Sequence, residues 1–129
     1  MRVLVVEEDP HRQAVFRAQF VDHELVIADT LIKALAALVS ERFDLVFLKR
    51  RLRNNRIAGN VIARYIAVTM PTSEHPSEVI IHDSNLTAVA EMQAILLDTK
   101  RPPRVTTSAT ATTSSRPKRG GGQGCRRRT

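Results

Sequence analysis

Residues 2–12 read RVLVVEEDPHR, and this stretch sets the expectation for the fold. Val3 to Val6 is an unbroken apolar run with no polar alternation, the pattern of a strand buried on both faces of a parallel sheet. It stops at three acids, Glu7, Glu8 and Asp9. Pro10 follows, where it opens a helix without penalty because the first N–H groups of a helix have no intrahelical partner. Val15, Phe16, Ala18, Phe20 and Val21 then recur at spacings of three and four and predict the apolar face of that helix.

The same strand-then-helix unit recurs along the chain. ELVIA at 24–28 predicts a second strand, Asp29 and Thr30 offer N-cap oxygens, and Leu31, Ala34, Leu35, Leu38 and Val39 mark the next helix. DLVFL at 44–48 predicts a third strand, which runs into the basic loop KRRLRNNR at 49–56. From Gly59, the residues Ile62, Tyr65, Ile66 and Thr69 mark a third helix, which Pro71, Ser73 and Pro76 break. VII at 79–81 predicts a fourth strand ending in His82, Asp83, Ser84 and Asn85, before a helix marked by Leu86, Val89, Ala90, Gln93, Leu96 and Leu97. Residues 104–107 make a weak fifth strand after Pro102 and Pro103. Regular alternation of strand and helix predicts an α/β fold: a doubly wound, mostly parallel five-stranded sheet with helices on both faces. Ligands of such sheets gather at the carboxyl ends of the strands, which here are Glu7–Asp9, Lys49–Arg51 and His82–Asn85.

Composition divides the 129 residues into two parts. Residues 1–105 are expected to form one domain, and 106–129 a disordered basic tail rich in Thr, Ser, Gly and Arg. The tail has no large apolar residue with which to offset the entropy of ordering. Arg116, Lys118, Arg119, Arg126, Arg127 and Arg128 carry six of the seven net positive charges, which leaves the first 105 residues at +1. The tail is therefore the candidate for nonspecific, salt-dependent attraction to nucleic acid, without aromatic residues to stack on bases. The lone Cys125 excludes an intrachain disulfide, and no signal peptide or membrane span is read, so a cytoplasmic location is expected. His11, His23 and His75 make no zinc-ligand spacing with Cys125. No Gly-rich phosphate loop lies in the domain, since GGGQG falls in the tail. No catalytic constellation is present, and a binding function is expected rather than an enzymatic one.

The order of these motifs resembles the receiver domains of response regulators, over about residues 1–105. VLVVEEDP resembles the acidic signature at the family's first strand end, and FDLVFLKRRL resembles its third strand. Within the family, EEDPHR with Arg12, the Gly59-led helix GNVIARYIA, and HDSN with His82 and Asn85 are closest to receiver-like domains associated with cyclic-phosphate processing. The resemblance implies a two-component signalling module that meets protein partners through a helix–strand face. It also implies acidic residues holding Mg²⁺ and an aspartate accepting a phosphoryl group, and here the sequence departs. Lys49 stands in the place of that aspartate, Arg51 in a place often acidic, and no Lys closes the fifth strand. Lys49 cannot form an acyl phosphate.

Two candidate sites follow. Glu7 and Glu8 are the residues left for a residual Mg²⁺ site, weakened because the Lys49 ammonium is placed to pair with one of them. Arg12, Lys49, Arg51, His82 and Asn85 are the candidates for a phosphate or anion pocket at the strand ends, Arg being suited to bidentate recognition. The alternative for His82 and Asn85 is structural, with Asn85 or Ser84 capping the next helix. The expected function is that of a degenerate receiver not phosphorylated in the usual way, the alternatives being sensing of a phosphate-bearing ligand and nucleic-acid binding through the tail.

Overall fold

The computed structural model describes residues 1–69 and 77–107. The proline-rich break at 71–76 and the tail at 108–129, with Cys125, lie outside the described residues. Among the described residues nine elements alternate: β1 (Arg2–Val6), α1 (Pro10–Gln19), β2 (Glu24–Ala28), α2 (Leu31–Ser40), β3 (Leu45–Leu48), α3 (Ala58–Thr69), β4 (Glu78–Ile81), α4 (Leu86–Leu97) and β5 (Arg104–Thr107). The strands form one sheet in the order β2-β1-β3-β4-β5, and all four pairings are parallel. The weak fifth strand forms, with Val79 beside Val105 and Ile81 beside Thr107. It carries the sheet two residues past the expected domain boundary at 105, because Thr106 and Thr107 complete the pairing with β4.

The two faces of the sheet are covered unequally. On one face Leu4, Val6, Val46, Leu48, Val79 and Ile81 pack with Ala34 of α2, Ile62 and Ile66 of α3, and Ala88, Met92 and Leu96 of α4. On the other, Val3, Val5 and Phe47 pack with the half-buried Phe16 of α1 and with Phe20, which caps that helix at its C-terminus. Alternate residues of each strand thus enter separate cores, which is why the strands read as continuous apolar runs.

The helix faces differ from expectation in detail. In α1, Val15 is 64% exposed and Ala18 is exposed, and Val21, just beyond the helix, is 75% exposed. Phe16 and Phe20 alone reach the sheet, stacking edge-on and tilted against Phe47 at centroid distances of 4.9 and 5.6 Å. Two large rings fill the space that a longer aliphatic stripe would need. Val39 of α2 is exposed as well. In α4, Leu86 and Leu97 face outward and Ala90 is exposed, whereas Ala88, Met92 and Leu96, four residues apart, form the buried line. The sequence pattern of α4 is apolar on most sides, so periodicity alone does not select its inner face.

Capping follows local chemistry. The Asp9 side chain accepts from His11 N, Thr30 from Lys33 N, and Asn85 from Ala88 N. Each satisfies an N–H that its helix leaves unpaired. Glycine at 59 meets a steric requirement. A Cβ there would lie 2.6 Å from the Arg50 Cα and collide with the Lys49 carbonyl oxygen, while Gly59 N donates to the Arg50 oxygen at 2.8 Å. The start of α3 is therefore clamped against the backbone that carries Lys49. Gly59→Ala is expected to destabilise the fold by about 2 kcal/mol, the cost of overpacking a tight contact. Urea denaturation of the two proteins side by side measures this, and equal midpoints would contradict the clamp.

Candidate functional site

The carboxyl ends of β1, β3 and β4 bring Glu7, Lys49 and His82 together. Glu7 follows β1 directly and is fully buried, at 0% exposure. A carboxylate in such a place requires compensation. Its Oε2 accepts from the backbone N–H groups of Glu8 and Asp9, each at 3.0 Å, because the chain turns tightly there into α1. The Lys49 Nζ reaches the same oxygen at 3.2 Å, with 19% of the Lys49 side chain exposed. Of the two acids that the sequence offers to Lys49, Glu7 is the partner. Gln13 adds a bond from its Nε2 to the Glu7 carbonyl, which fixes the first turn of α1 to the site.

His82 closes the opposite side. Its ring is buried, lies edge-on to Phe16 and Phe47, and places Nε2 3.2 Å from the Val6 carbonyl. A carbonyl only accepts, so the proton of the neutral ring belongs on Nε2. Nδ1 then presents a lone pair toward Glu7 Oε1 at 3.8 Å, an oxygen with no hydrogen-bond partner among the described residues. Burial pushes the imidazole pKa down from 6.5 to about 4; the Glu7 carboxylate and the Val6 carbonyl oppose the shift, and Lys49 and Arg12 add to it. His82 is therefore neutral near pH 7.

The basic loop does not act as one patch. Leu52 is buried and anchors it, and Leu52 and Asn55 exchange backbone hydrogen bonds of 2.9 and 3.0 Å. The cations disperse around that anchor. Lys49 turns inward to Glu7. Arg50 reaches Glu91 of α4 at 2.8 Å, and this bond, with one from Asn60, holds the Glu91 carboxyl below its ordinary range. Arg53 takes Glu8, whose Oε2 accepts from Arg53 N at 2.6 Å and lies 3.8 Å from its Nε. Arg51 is exposed and has no ion-pair partner among the described residues.

A hollow of about 220 Å³ opens above the ion pair, lined by Glu8, Arg12, Lys49, Arg51, His82, Asp83 and Ser84. It contains four of the five residues expected for an anion pocket. Asn85 is absent from it, because its side-chain oxygen caps α4. Ser84 and Asp83 line the wall instead. The adjacent-residue position of Ser84 on the β4–α4 turn was the available sequence signal for it.

The geometry does not suit the Mg²⁺ site expected of Glu7 and Glu8. Glu7 Oε2 is already shared by two amides and an ammonium, and Glu8 is turned toward Arg53. Among the described residues, no group of three or more His, Cys, Asp or Glu side chains forms a metal-ligand set. Mg²⁺ demands a near-octahedral set of oxygens, whereas the ammonium of Lys49 already supplies a positive charge beside Glu7.

Two measurements probe this arrangement. Lys49→Met leaves the buried Glu7 without its cation and is expected to cost about 3 kcal/mol of stability at pH 7, as for a broken buried pair; an unchanged denaturation midpoint would show that the pair is idle. His82 titrates at a lower pH folded than unfolded, so the unfolded chain binds more protons between pH 6.5 and 4, and stability falls as pH drops through that window. From this group alone, stability at pH 5 is expected to be about 2 kcal/mol below that at pH 8. Denaturation of the parent and His82→Gln at both pH values tests it, the variant being expected to lose the smaller amount.

No protein-family model matches the chain, and no curated protein matches it. Solved structures do. The response regulator TrrA of Thermotoga maritima, in complex with Mg²⁺ and BeF, is 18% identical with a TM-score of 0.62, over 84% of this chain and 86% of that one. A CheY-like receiver domain from Methylobacillus flagellatus is 14% identical with a TM-score of 0.61, over 83% and 84%. The phosphorylated cyanobacterial phytochrome response regulator RcpA is 18% identical with a TM-score of 0.60, over 85% and 82%. With five parallel strands in the order 2-1-3-4-5 and alternating helices, the chain has the flavodoxin-like fold of response-regulator receiver domains.

Proposed function

We propose that this chain is a receiver-type signalling module that meets a protein partner in one constitutive state, without phosphorylation. The observation that carries this reading is the Lys49–Glu7 ion pair, at 3.2 Å on a fully buried carboxylate. A receiver uses its strand-end acids to hold a cation and accept a phosphoryl group, and the cation neutralises charge on the transferring group. Here an ammonium is covalently tethered beside the retained acid. It supplies positive charge permanently, it occupies the place from which an acyl phosphate would form, and it ties the end of β3 to the end of β1. A switch whose input is a change of charge at this point has that charge already set.

The described surface supports an interaction role. Val15 on α1 and Val21 just after it, Ile32 and Val39 on α2, and Leu86 and Leu97 on α4 are exposed large apolar side chains. No helix among the described residues is long and apolar enough to cross a membrane.

Acetyl phosphate with Mg²⁺ tests the reading. Intact-mass spectrometry of the treated parent is expected to show no phosphoryl adduct. Isothermal calorimetry is expected to show no tight Mg²⁺ binding by the parent and measurable binding by Lys49→Asp, which restores an oxygen ligand. An adduct on the parent, or tight Mg²⁺ binding by it, overturns the proposal.

A further inference from the structure

The hollow above the ion pair has a composition that the constitutive module does not require. Three of its lining residues are cations, Arg12, Lys49 and Arg51. Its two acids are largely committed elsewhere. Glu8 Oε2 accepts from Arg53 N, while the two oxygens of Asp83 accept from Arg50 N at 3.0 Å and Asn85 N at 2.8 Å. The cations are less committed. Arg51 has no ion-pair partner among the described residues, and Arg12 has only a long contact of 3.9 Å to Asp9, both partners being about half exposed. The Lys49 ammonium has three donors, and among the described residues Glu7 Oε2 is the one side-chain acceptor it meets. The fields of Lys49 and Arg12 reach far enough to disfavour a proton on the buried His82.

We infer that this hollow binds a phosphate group reversibly, with Arg12 and Arg51 gripping it from the rim, Lys49 below it and the Ser84 hydroxyl in the wall. The inference rests on the reading of Lys49 as a fixed cation. Guanidinium groups pair with phosphate oxygens in bidentate fashion, and an ammonium serves as a point charge. The neutral His82, its Nε2 proton committed to the Val6 carbonyl, lines the hollow without donating to the ligand. At about 220 Å³ the space is smaller than the roughly 300–1,000 Å³ of sites for drug-sized molecules. It suits a phosphate group, free or at the end of a small ester, better than a whole nucleotide. No bond to the protein forms or breaks. The phosphate exchanges with solvent, and its occupancy adds negative charge at the point where strands β1, β3 and β4 end.

The test is an amide-resolved NMR titration of the full chain with inorganic phosphate and, separately, with glycerol phosphate, at constant ionic strength and against sodium chloride. Saturable shifts at the amides of Arg51, Asp83 and Ser84 are expected. Arg12→Gln and Arg51→Gln are each expected to weaken binding about tenfold, the loss of one charge-assisted contact, while Arg17→Gln on the outside of α1 leaves it unchanged. Tighter binding of the ester identifies an esterified phosphate as the source, and tighter binding of the inorganic ion identifies free phosphate. Shifts that do not saturate, that chloride reproduces, or that persist in both rim variants overturn the inference. The two rim variants leave Lys49 and Glu7 in place, so loss of the phosphate site there does not disturb the phosphorylation-independent reading. A phosphoryl adduct on the parent would remove that reading whether or not free phosphate binds.

Discussion

A carboxylate with no solvent contact has to be compensated from within the protein, and Glu7 is such a group. Its Oε2 receives two backbone amides from the turn into α1 and the ammonium of Lys49. These bonds join the end of β1 to the start of α1 and to the end of β3. The turn is further held by the Asp9 cap and by Gln13 on the Glu7 carbonyl. On the other strand, the backbone that presents Lys49 is pressed by Gly59 and bonded through Arg50 N to Asp83. Three strand ends and two helix starts are therefore organised around one buried charge. The arrangement has a residual imperfection, since Glu7 Oε1 and His82 Nδ1 face each other at 3.8 Å with no proton between them in the neutral state.

That arrangement also explains how so basic a loop coexists with a nearly neutral domain. Five cations between 49 and 56 would repel one another if they shared a surface. The turn around the buried Leu52 sends Lys49 to Glu7, Arg50 to Glu91 and Arg53 to Glu8. Two of these acids stand side by side in the turn after β1 and the third on α4, so the loop is bound to the end of β1 and to α4 as well as to its own strand. Among the described residues, Arg51 alone of the strand-end cations has no ion-pair partner, and Arg12 joins it in lining the hollow from α1. The cationic character of the hollow is a remainder left after pairing rather than a property of the loop as a whole.

The architecture was legible because its signals are local. Continuous apolar runs at 3–6 and 45–48, each followed by a turn and a 3.6-residue period, require parallel strands with helical crossovers. Capping by Thr30 and Asn85 follows from the reach of a short polar side chain to the second or third N–H of a helix. Inner helix faces were less legible. In α1 and the turn that follows it the sheet accepts two aromatic rings and leaves Val15 and Val21 outside, and in α4 an almost wholly apolar sequence gives no dominant face. Those choices depend on what the sheet presents at each point, which no helix encodes alone.

For the site, the sequence by itself determined the inventory: an acidic strand end, a lysine at the next strand end, a histidine at the third, and arginines nearby. It also determined that Lys49 cannot carry an acyl phosphate, which is a matter of functional group and needs no coordinates. Only the tertiary structure decided the partners. Glu7 rather than Glu8 meets Lys49 because the turn after β1 points Glu7 into the core and Glu8 toward Arg53. Asn85 leaves the pocket because the unpaired N–H of Ala88 claims its oxygen. Residues 42 apart are made neighbours by strand pairing, and a side chain at a strand end faces core or solvent according to a single backbone rotation that the sequence pattern does not reveal.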